Sequence, residues 1–378
     1  PVVLPPEAYA AAMAALPGMG PARLSAILAA LPPEAAWPHL VRGTRWRDPA
    51  VVRALGPVAD KVVASWAAAA VGVDLAALWR RITELEVTVT MQGRGGYPAV
   101  LAGDVEPPAV TFHRGDTAVL DGPRVAIVGT RRCSSTGRSV AVELGRDLAA
   151  AGVRVVSGLA TGIDGAAHRG VLAADGAPPI GVVGSGLDVV YPPGQHDLWH
   201  EVAARGLLLS EAPPGARPER WRFPARNRII AALADLVVVV ESHRRGGSLH
   251  TVDEADRRGV DVFVVPGSVR NPAATGTNEL LAEGRPPACS AADVLVALGL
   301  GAGHQRRQRA DPRPAPDPGD AEVLEAVGWE PSTLDELALR TGLDLAGLAP
   351  ALDRLCEARW IQRSGGWYER VAASPEER

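Results

Sequence analysis

Five arginines fall within residues 217–228 (Arg217, Arg220, Arg222, Arg226 and Arg228), with Glu219 the sole acid among them and Trp221 and Phe223 interleaved. The run closes as Phe223-Pro224-Ala225-Arg226-Asn227-Arg228-Ile229-Ile230. A guanidinium is always charged, and its planar fork of donors matches phosphate oxygens. Aromatic rings give bases a face to stack on, so arginine with aromatics is the chemistry of single-strand nucleic-acid binding. An isolated run of this kind reads as a solvated basic loop. This one differs by its place, before a helix and a strand in a Gly-rich α/β segment.

Four further loops carry compatible chemistry. They are Gly129-Thr130-Arg131-Arg132-Cys133-Ser134-Ser135-Thr136-Gly137, Ser157–Asp164, Gly184-Ser185-Gly186-Leu187-Asp188 with Tyr191-Pro192-Pro193 behind it, and Gly246-Gly247-Ser248-Leu249-His250-Thr251. Each follows an apolar, strand-like run. Small and hydroxyl residues leave room for a phosphate or base and supply donors. One such loop says little; four at successive strand ends point to an anionic ligand.

Other chemistries fit less well. Gly184-Ser185-Gly186 lacks the third glycine of the dinucleotide fingerprint and sits at the third strand rather than the first. There is no GxxxxGK[ST] phosphate loop. His168, His196, His200, His243 and His250 have no acid or nucleophile at a diagnostic spacing. Asp164 and Asp188 read as caps and loop hydrogen-bond acceptors. Cys133 lies among arginines at an expected helix N-terminus, a setting that lowers thiol pKa values, yet it reads as a bystander. No catalytic residue, cofactor or metal is expected.

The elements that must position these loops are legible. Apolar runs at Val125–Val128, Val153–Val156, Ile180–Val183, Gly206–Leu209, Leu236–Val240 and Val262–Val265 alternate with helix-length segments. That pattern predicts a parallel sheet covered on both faces, a doubly wound Rossmann-like α/β domain over 86–300. Glu86–Thr90 and Ala109–His113 are two further strand candidates. Residues 1–85 read as a small helical domain, with apolar spacing through Ala8–Leu16, Leu24–Leu31 and Val58–Val71. Its Leu16–Arg23 segment resembles a helix-hairpin-helix turn, and equally a tight Gly/Pro helix connection. Residues 301–319 read as a flexible linker. Three helix candidates (Glu322–Val327, Leu334–Thr341, Leu348–Glu357) and a hairpin (Trp360–Arg363 and Trp367–Val371) predict a winged helix over 320–372, with Ser332 or Thr333 as an N-cap.

Composition sets the limits. The 378 residues imply more than one domain, and the net charge is −4. Residues 123–300 carry 19 basic and 18 acidic side chains, so a nucleic-acid surface must be a local patch. Residues 301–378 carry 10 and 14, and the third helix of the winged module holds Asp344, Asp353 and Glu357 against Arg354 and Arg359. Such a helix repels phosphate, so a protein-contact or structural role is expected there. Lys61 is the one lysine. No basic segment followed by an apolar one marks a secretory signal, no apolar run reaches membrane length, and the three cysteines form no CxxC pair. A reducing cytoplasm is the expected location.

The loops, in this order, resemble the DNA-processing protein A family (DprA, also called Smf). The likeness runs over about residues 97–285. It is carried by Tyr97-Pro98-x-x-Leu101, Pro107-Pro108, Gly115-Asp116, Gly129-Thr130-Arg131 with Gly137, Ser157–Asp164, Gly184–Asp188 with Tyr191-Pro192, Ser210-Glu211 with Pro214-Gly215, Phe223–Ile230, Gly247-Ser248-Leu249 with Thr251, and Pro266-Gly267. The resemblance implies a non-enzymatic Rossmann-like homodimer that binds single-stranded DNA and loads RecA recombinase onto it in natural transformation. It implies DNA contacts from Arg131, Gly184, Ser185, Gly186, Tyr191, Arg226, Asn227 and Arg228, with Ser248 and Thr251 as phosphate donors. Three positions depart from the pattern: Thr130 stands where serine is usual, Gln195 or His196 replaces the asparagine of YPxxN, and His250 takes a normally apolar place. An alternative likeness, Gly-Gly-x-x-x-Thr-x-x-Glu over Gly246–Glu254, implies a nucleoside-monophosphate phosphoribohydrolase using Glu254 and an arginine.

Overall fold

The computed structural model describes residues 3–300, 313–327 and 331–371. Its described residues divide into two bodies, one through residue 300 and one from residue 313.

The first body is built on eight strands: β1 (Thr88–Met91), β2 (Val110–Arg114), β3 (Arg124–Val128), β4 (Arg154–Ser157), β5 (Ile180–Val183), β6 (Leu207–Ser210), β7 (Leu236–Val239) and β8 (Asp261–Val264). Their order across the sheet is β1-β2-β6-β5-β4-β3-β7-β8. From β6 to β8 every pairing is parallel, while β2 pairs antiparallel with both β6 and β1. Parallel strands buried on both faces read as continuous Val/Ile/Leu runs, and Leu207, Leu208 and Leu209 are all fully buried. The helices Arg222–Leu233 and Leu249–Arg258 contribute to the core on one face; Ser135–Ala150, Ile163–Ala173 and Ala291–Ala297 contribute to the other. The sheet is therefore the doubly wound one read from the sequence, extended by an antiparallel pair at the β6 edge.

The helical segment expected over 1–85 contains six α-helices. Three of them, Pro33–Val41, Pro49–Leu55 and Leu75–Glu84, were not separated by apolar spacing. Pro33 and Pro49 occupy first helical positions, where a missing N–H costs nothing, and the Asp48 and Asp74 carboxylates cap their helices. One apolar core runs without a break from Met13, Ile27, Leu40 and Trp66 through Val89 and Phe112 to Val183 and Trp199. The helical segment is thus packed onto the sheet as part of the same body.

In the second body the helices are Pro318–Val327, Leu334–Thr341 and Leu345–Glu357, and β9 (Ser332–Thr333) joins the hairpin of β10 (Ile361–Ser364) and β11 (Trp367–Arg370). This is a winged helix. Thr333 is the N-cap, in a reciprocal capping box with Glu336, and Gly342 ends that helix in the left-handed region. Residues 301–312 of the expected linker lie outside the described residues; the first helix begins at Pro318, inside the segment read as linker. Among the described residues no single helix is long and apolar enough to cross a membrane.

Candidate functional site

Parallel sheets present their loops and helix N-termini at the carboxyl ends of the strands, and a ligand usually enters where the strand order reverses, here between β3 and β7. That crevice is already filled from within. Glu241, just after β7, is buried and accepts hydrogen bonds from the Ser134 backbone N–H at 2.8 Å, the Ser134 hydroxyl at 2.6 Å and the Asn271 amide at 2.9 Å. Its carboxylate stands at the N-terminus of helix Ser135–Ala150, the place where the helix dipole would otherwise hold a phosphate. Gly137 is required beneath it, since a Cβ there would lie 2.3 Å from the carboxylate carbon. The poor match to a dinucleotide fingerprint thus has a physical counterpart: an internal anion holds the usual phosphate position.

The open cleft lies one step along, at the ends of β3, β4 and β5. It is lined by Arg131, Gly158, Ala160, Thr161, Val183, Gly184, Ser185, Tyr191, Pro192, Phe223 and Arg226. Arg226 forms its floor. It is 7% exposed, and its Nη1 donates to the Val182 carbonyl at 3.0 Å, while its Nε has no hydrogen-bond partner. Gly158 admits it: a Cβ at that position would sit 1.4 Å from Nη1. Burial lowers the Arg226 pKa, Asp164 opposes that shift and Arg131 adds to it. Asp164 is itself buried, which raises its pKa; it accepts from the Gly158 N–H at 3.2 Å. Two guanidiniums that repel each other favour an anion between them.

The wall of the cleft is aromatic. The Arg131 guanidinium lies over the Phe223 ring at 4.9 Å, and the Phe223 and Tyr191 rings are 5.5 Å apart, tilted by 38°. Arg131 is exposed and makes no ion pair among the described residues. The cleft therefore offers a stacking face beside a phosphate-sized cationic floor.

The structure sorts the sequence candidates. Arg131, Gly184, Ser185, Tyr191 and Arg226 line the cleft, although the Ser185 hydroxyl is buried and donates to the Val189 carbonyl. Gly186 does not line it; a Cβ there would meet the Pro213 carbonyl. Asn227 reaches instead to the Gly247 carbonyl at 3.2 Å. Ser248 and Thr251 are buried away from the cleft, with the Ser248 hydroxyl donating to that of Ser242. Arg228 is engaged with other partners. Its Nη2 donates to both Glu211 oxygens at 2.6 Å and its Nη1 to the Glu106 carbonyl. Both terminal nitrogens of this buried guanidinium thus brace segments of the protein. Residues two apart on a helix point about 200° apart, so Arg226 and Arg228 cannot face one ligand.

Phe223 was missed as a site residue, along with Gly158, Ala160, Thr161 and Pro192. The helical period was the signal: Phe223 lies three residues before Arg226 and so on its face. Of the two candidates for the YPxxN position, Gln195 does the internal work. It is buried, donates to the Ala160 carbonyl at 3.0 Å and accepts from Arg169 at 2.6 Å, holding the β4 loop at the cleft. His250 is exposed, 3.9 Å from Asp253, so its polar ring is not buried. Cys133 has its pKa raised by burial, opposite to a reactive thiol. Glu254 faces away from the cleft, bonded to Arg257 and Arg258, the latter also held by Asp104. No group of three or more His, Cys, Asp or Glu side chains suited to a metal occurs among the described residues.

The helical turn at Gly18–Arg23 also differs from a phosphate-binding one. Arg23 is spent internally, donating to the Gly18 and Ala54 carbonyls. Arg81 from the same segment pairs with Asp188 at 3.0 Å and so anchors the loop that follows β5.

Comparison with known proteins agrees with this architecture. A family model described as DNA recombination-mediator protein A matches residues 88–299, and one described as DprA winged helix domain matches residues 307–355. The DNA processing protein DprA of Bacillus subtilis is 40% identical over 203 residues, which cover 53% of this chain and 68% of that protein. The X-ray structure of DprA from Streptococcus pneumoniae superposes with a TM-score of 0.63 at 30% identity, over 78% of this chain and 98% of that one. A DNA processing protein A structure from Helicobacter pylori, solved to explain its single-stranded DNA binding mode, superposes with a TM-score of 0.51 at 31% identity, over 56% of this chain and 95% of that one. With the sheet, the winged helix and the order of the strand-end loops all in agreement, the chain belongs to the DNA recombination-mediator protein A family.

Proposed function

We propose that the cleft at the ends of β3–β5 binds single-stranded DNA. The observation that carries this reading is the Arg226 guanidinium at the floor of a cleft walled by Arg131, Phe223 and Tyr191. A phosphate satisfies the floor, and a base stacks on the aromatic wall, with little sequence readout. The protein then acts as a recombination mediator without enzymatic chemistry of its own. It loads RecA recombinase on incoming DNA during natural transformation, in the cytoplasm, as a homodimer through the Rossmann-like domain. The winged helix, acidic and with Leu339, Leu345 and Trp367 exposed, is suited to a protein partner better than to DNA.

Fluorescence anisotropy with matched single- and double-stranded oligonucleotides tests the binding step, with tight, salt-sensitive and single-strand-selective binding expected. RecA filament growth on single-strand-binding-protein-coated DNA tests the loading step, with faster growth expected in the presence of this protein. Equal affinity for both DNA forms, or none for either, overturns the first step; unchanged filament growth overturns the second.

A further inference from the structure

A second, shallow cleft opens on the other side of Gly184 and Arg226. One wall is the turn before helix Pro21–Ala30, through Met19, Gly20 and Pro21; the opposite wall is Trp221 and Arg222. Val183, Gly184 and Arg226 are common to the linings of both clefts. Trp221 is 41% exposed at the cleft wall; its indole N–H donates to Glu219 at 2.8 Å, and the Arg222 guanidinium lies over the ring at 4.5 Å. Gly20 faces open space, and no side chain caps the helix it precedes.

We propose that this second cleft is a subsite for the adjacent nucleotide of the same strand, its base stacking on Trp221 and its backbone crossing Arg226 between the two clefts. The inference rests on the single-strand reading of the first cleft and adds a partner for it: the helical N-terminal segment completes the DNA path with an apolar wall. It also gives Trp221 and Arg222 a role that the cleft at β3–β5 leaves unassigned. Apolar contact and ring stacking predict tolerance of any base here.

Two variants and one chemical probe test it. Trp221→Ala removes an exposed ring. Gly20→Asp places a carboxylate at the mouth of the cleft in an extended backbone position with nothing within 4 Å, and aspartate caps a helix at least as well as glycine. Each is expected to raise the Kd for fluorescein-labelled (dT)20 by about five- to hundredfold, the range for loss of one stacked base. Gly20→Asp should do so with unchanged or higher thermal stability. A (dT)20 carrying 5-iodouracil is expected to crosslink to Trp221 on irradiation. Parental affinity in both variants with no crosslink at Trp221, while Phe223→Ala still weakens binding, overturns the subsite and leaves the first cleft standing. Absence of binding by the parent protein overturns the first cleft and the subsite together.

Discussion

Substituting Gly158 by alanine is the sharpest perturbation the cleft offers, because it adds one methyl group and changes no charge. Gly158 has no positive φ, so alanine meets no backbone strain; its Cβ would instead lie 1.4 Å from Arg226 Nη1, 2.3 Å from Cζ and 2.6 Å from Nη2. The guanidinium must move out of its present position, with loss of the hydrogen bond to the Val182 carbonyl. That bond involves a charged donor, so the fold should lose about 1.5–3 kcal/mol. A displaced Arg226 no longer meets a phosphate, which costs a similar amount in binding, about ten- to hundredfold in Kd. One lost phosphate contact also flattens the slope of log K against log salt by about 0.7 for a single strand. Anisotropy titrations of (dT)20 at several salt concentrations read both quantities, and urea unfolding reads the first. Gly103→Ala, at a glycine with open space and negative φ, is the control and should behave as the parent. Parental affinity and slope in folded Gly158→Ala would refute the placement of Arg226 at the phosphate.

Three further outcomes follow from other parts of the fold. Arg228→Ala leaves the Glu211 carboxylate buried without its partner, so urea unfolding should show a loss of about 3–5 kcal/mol, while any protein that remains folded keeps the parental salt slope. Glu241→Ala strips an acceptor from Ser134 and Asn271; a stability loss of about 3 kcal/mol is expected, with weaker DNA binding because the Arg131 loop is tied down at Ser134. Burial holds the fully buried His168 imidazole at about 4 against its ordinary 6.5, so the unfolded chain takes up a proton that the fold refuses. Stability is therefore complete above pH 6.5, falls by up to about 1.4 kcal/mol per pH unit between 6.5 and 4, and levels off below that. In His168→Leu that contribution should vanish, and an unchanged pH dependence would contradict it.

The parallel sheet was legible because strands buried on both faces must be continuously apolar, and β5 and β7 are so from end to end. The cleft was legible in part. Arg131 and Tyr191 stand on loops whose glycines and strand ends mark them, and the structure brings them together with Arg226. What sequence order alone hides is which way a helical side chain points. Arg226 and Arg228 look equivalent in a basic run, yet one faces the cleft and the other Glu211. Glu241 was beyond reach for a different reason: its role depends on Ser134 and Asn271, 137 residues apart in the chain (271 − 134). The opening arginines Arg217 and Arg220 remain exposed, and Arg222 contributes to the second cleft.

The central claim is that Arg131 and Arg226 hold the phosphates of a single strand. The direct measurement is the salt dependence of (dT)20 binding for the parent protein, Arg131→Ala and Arg226→Ala. Each substitution should weaken binding at least about tenfold and flatten the salt slope by about 0.7. Parental affinity and slope in both would contradict the account.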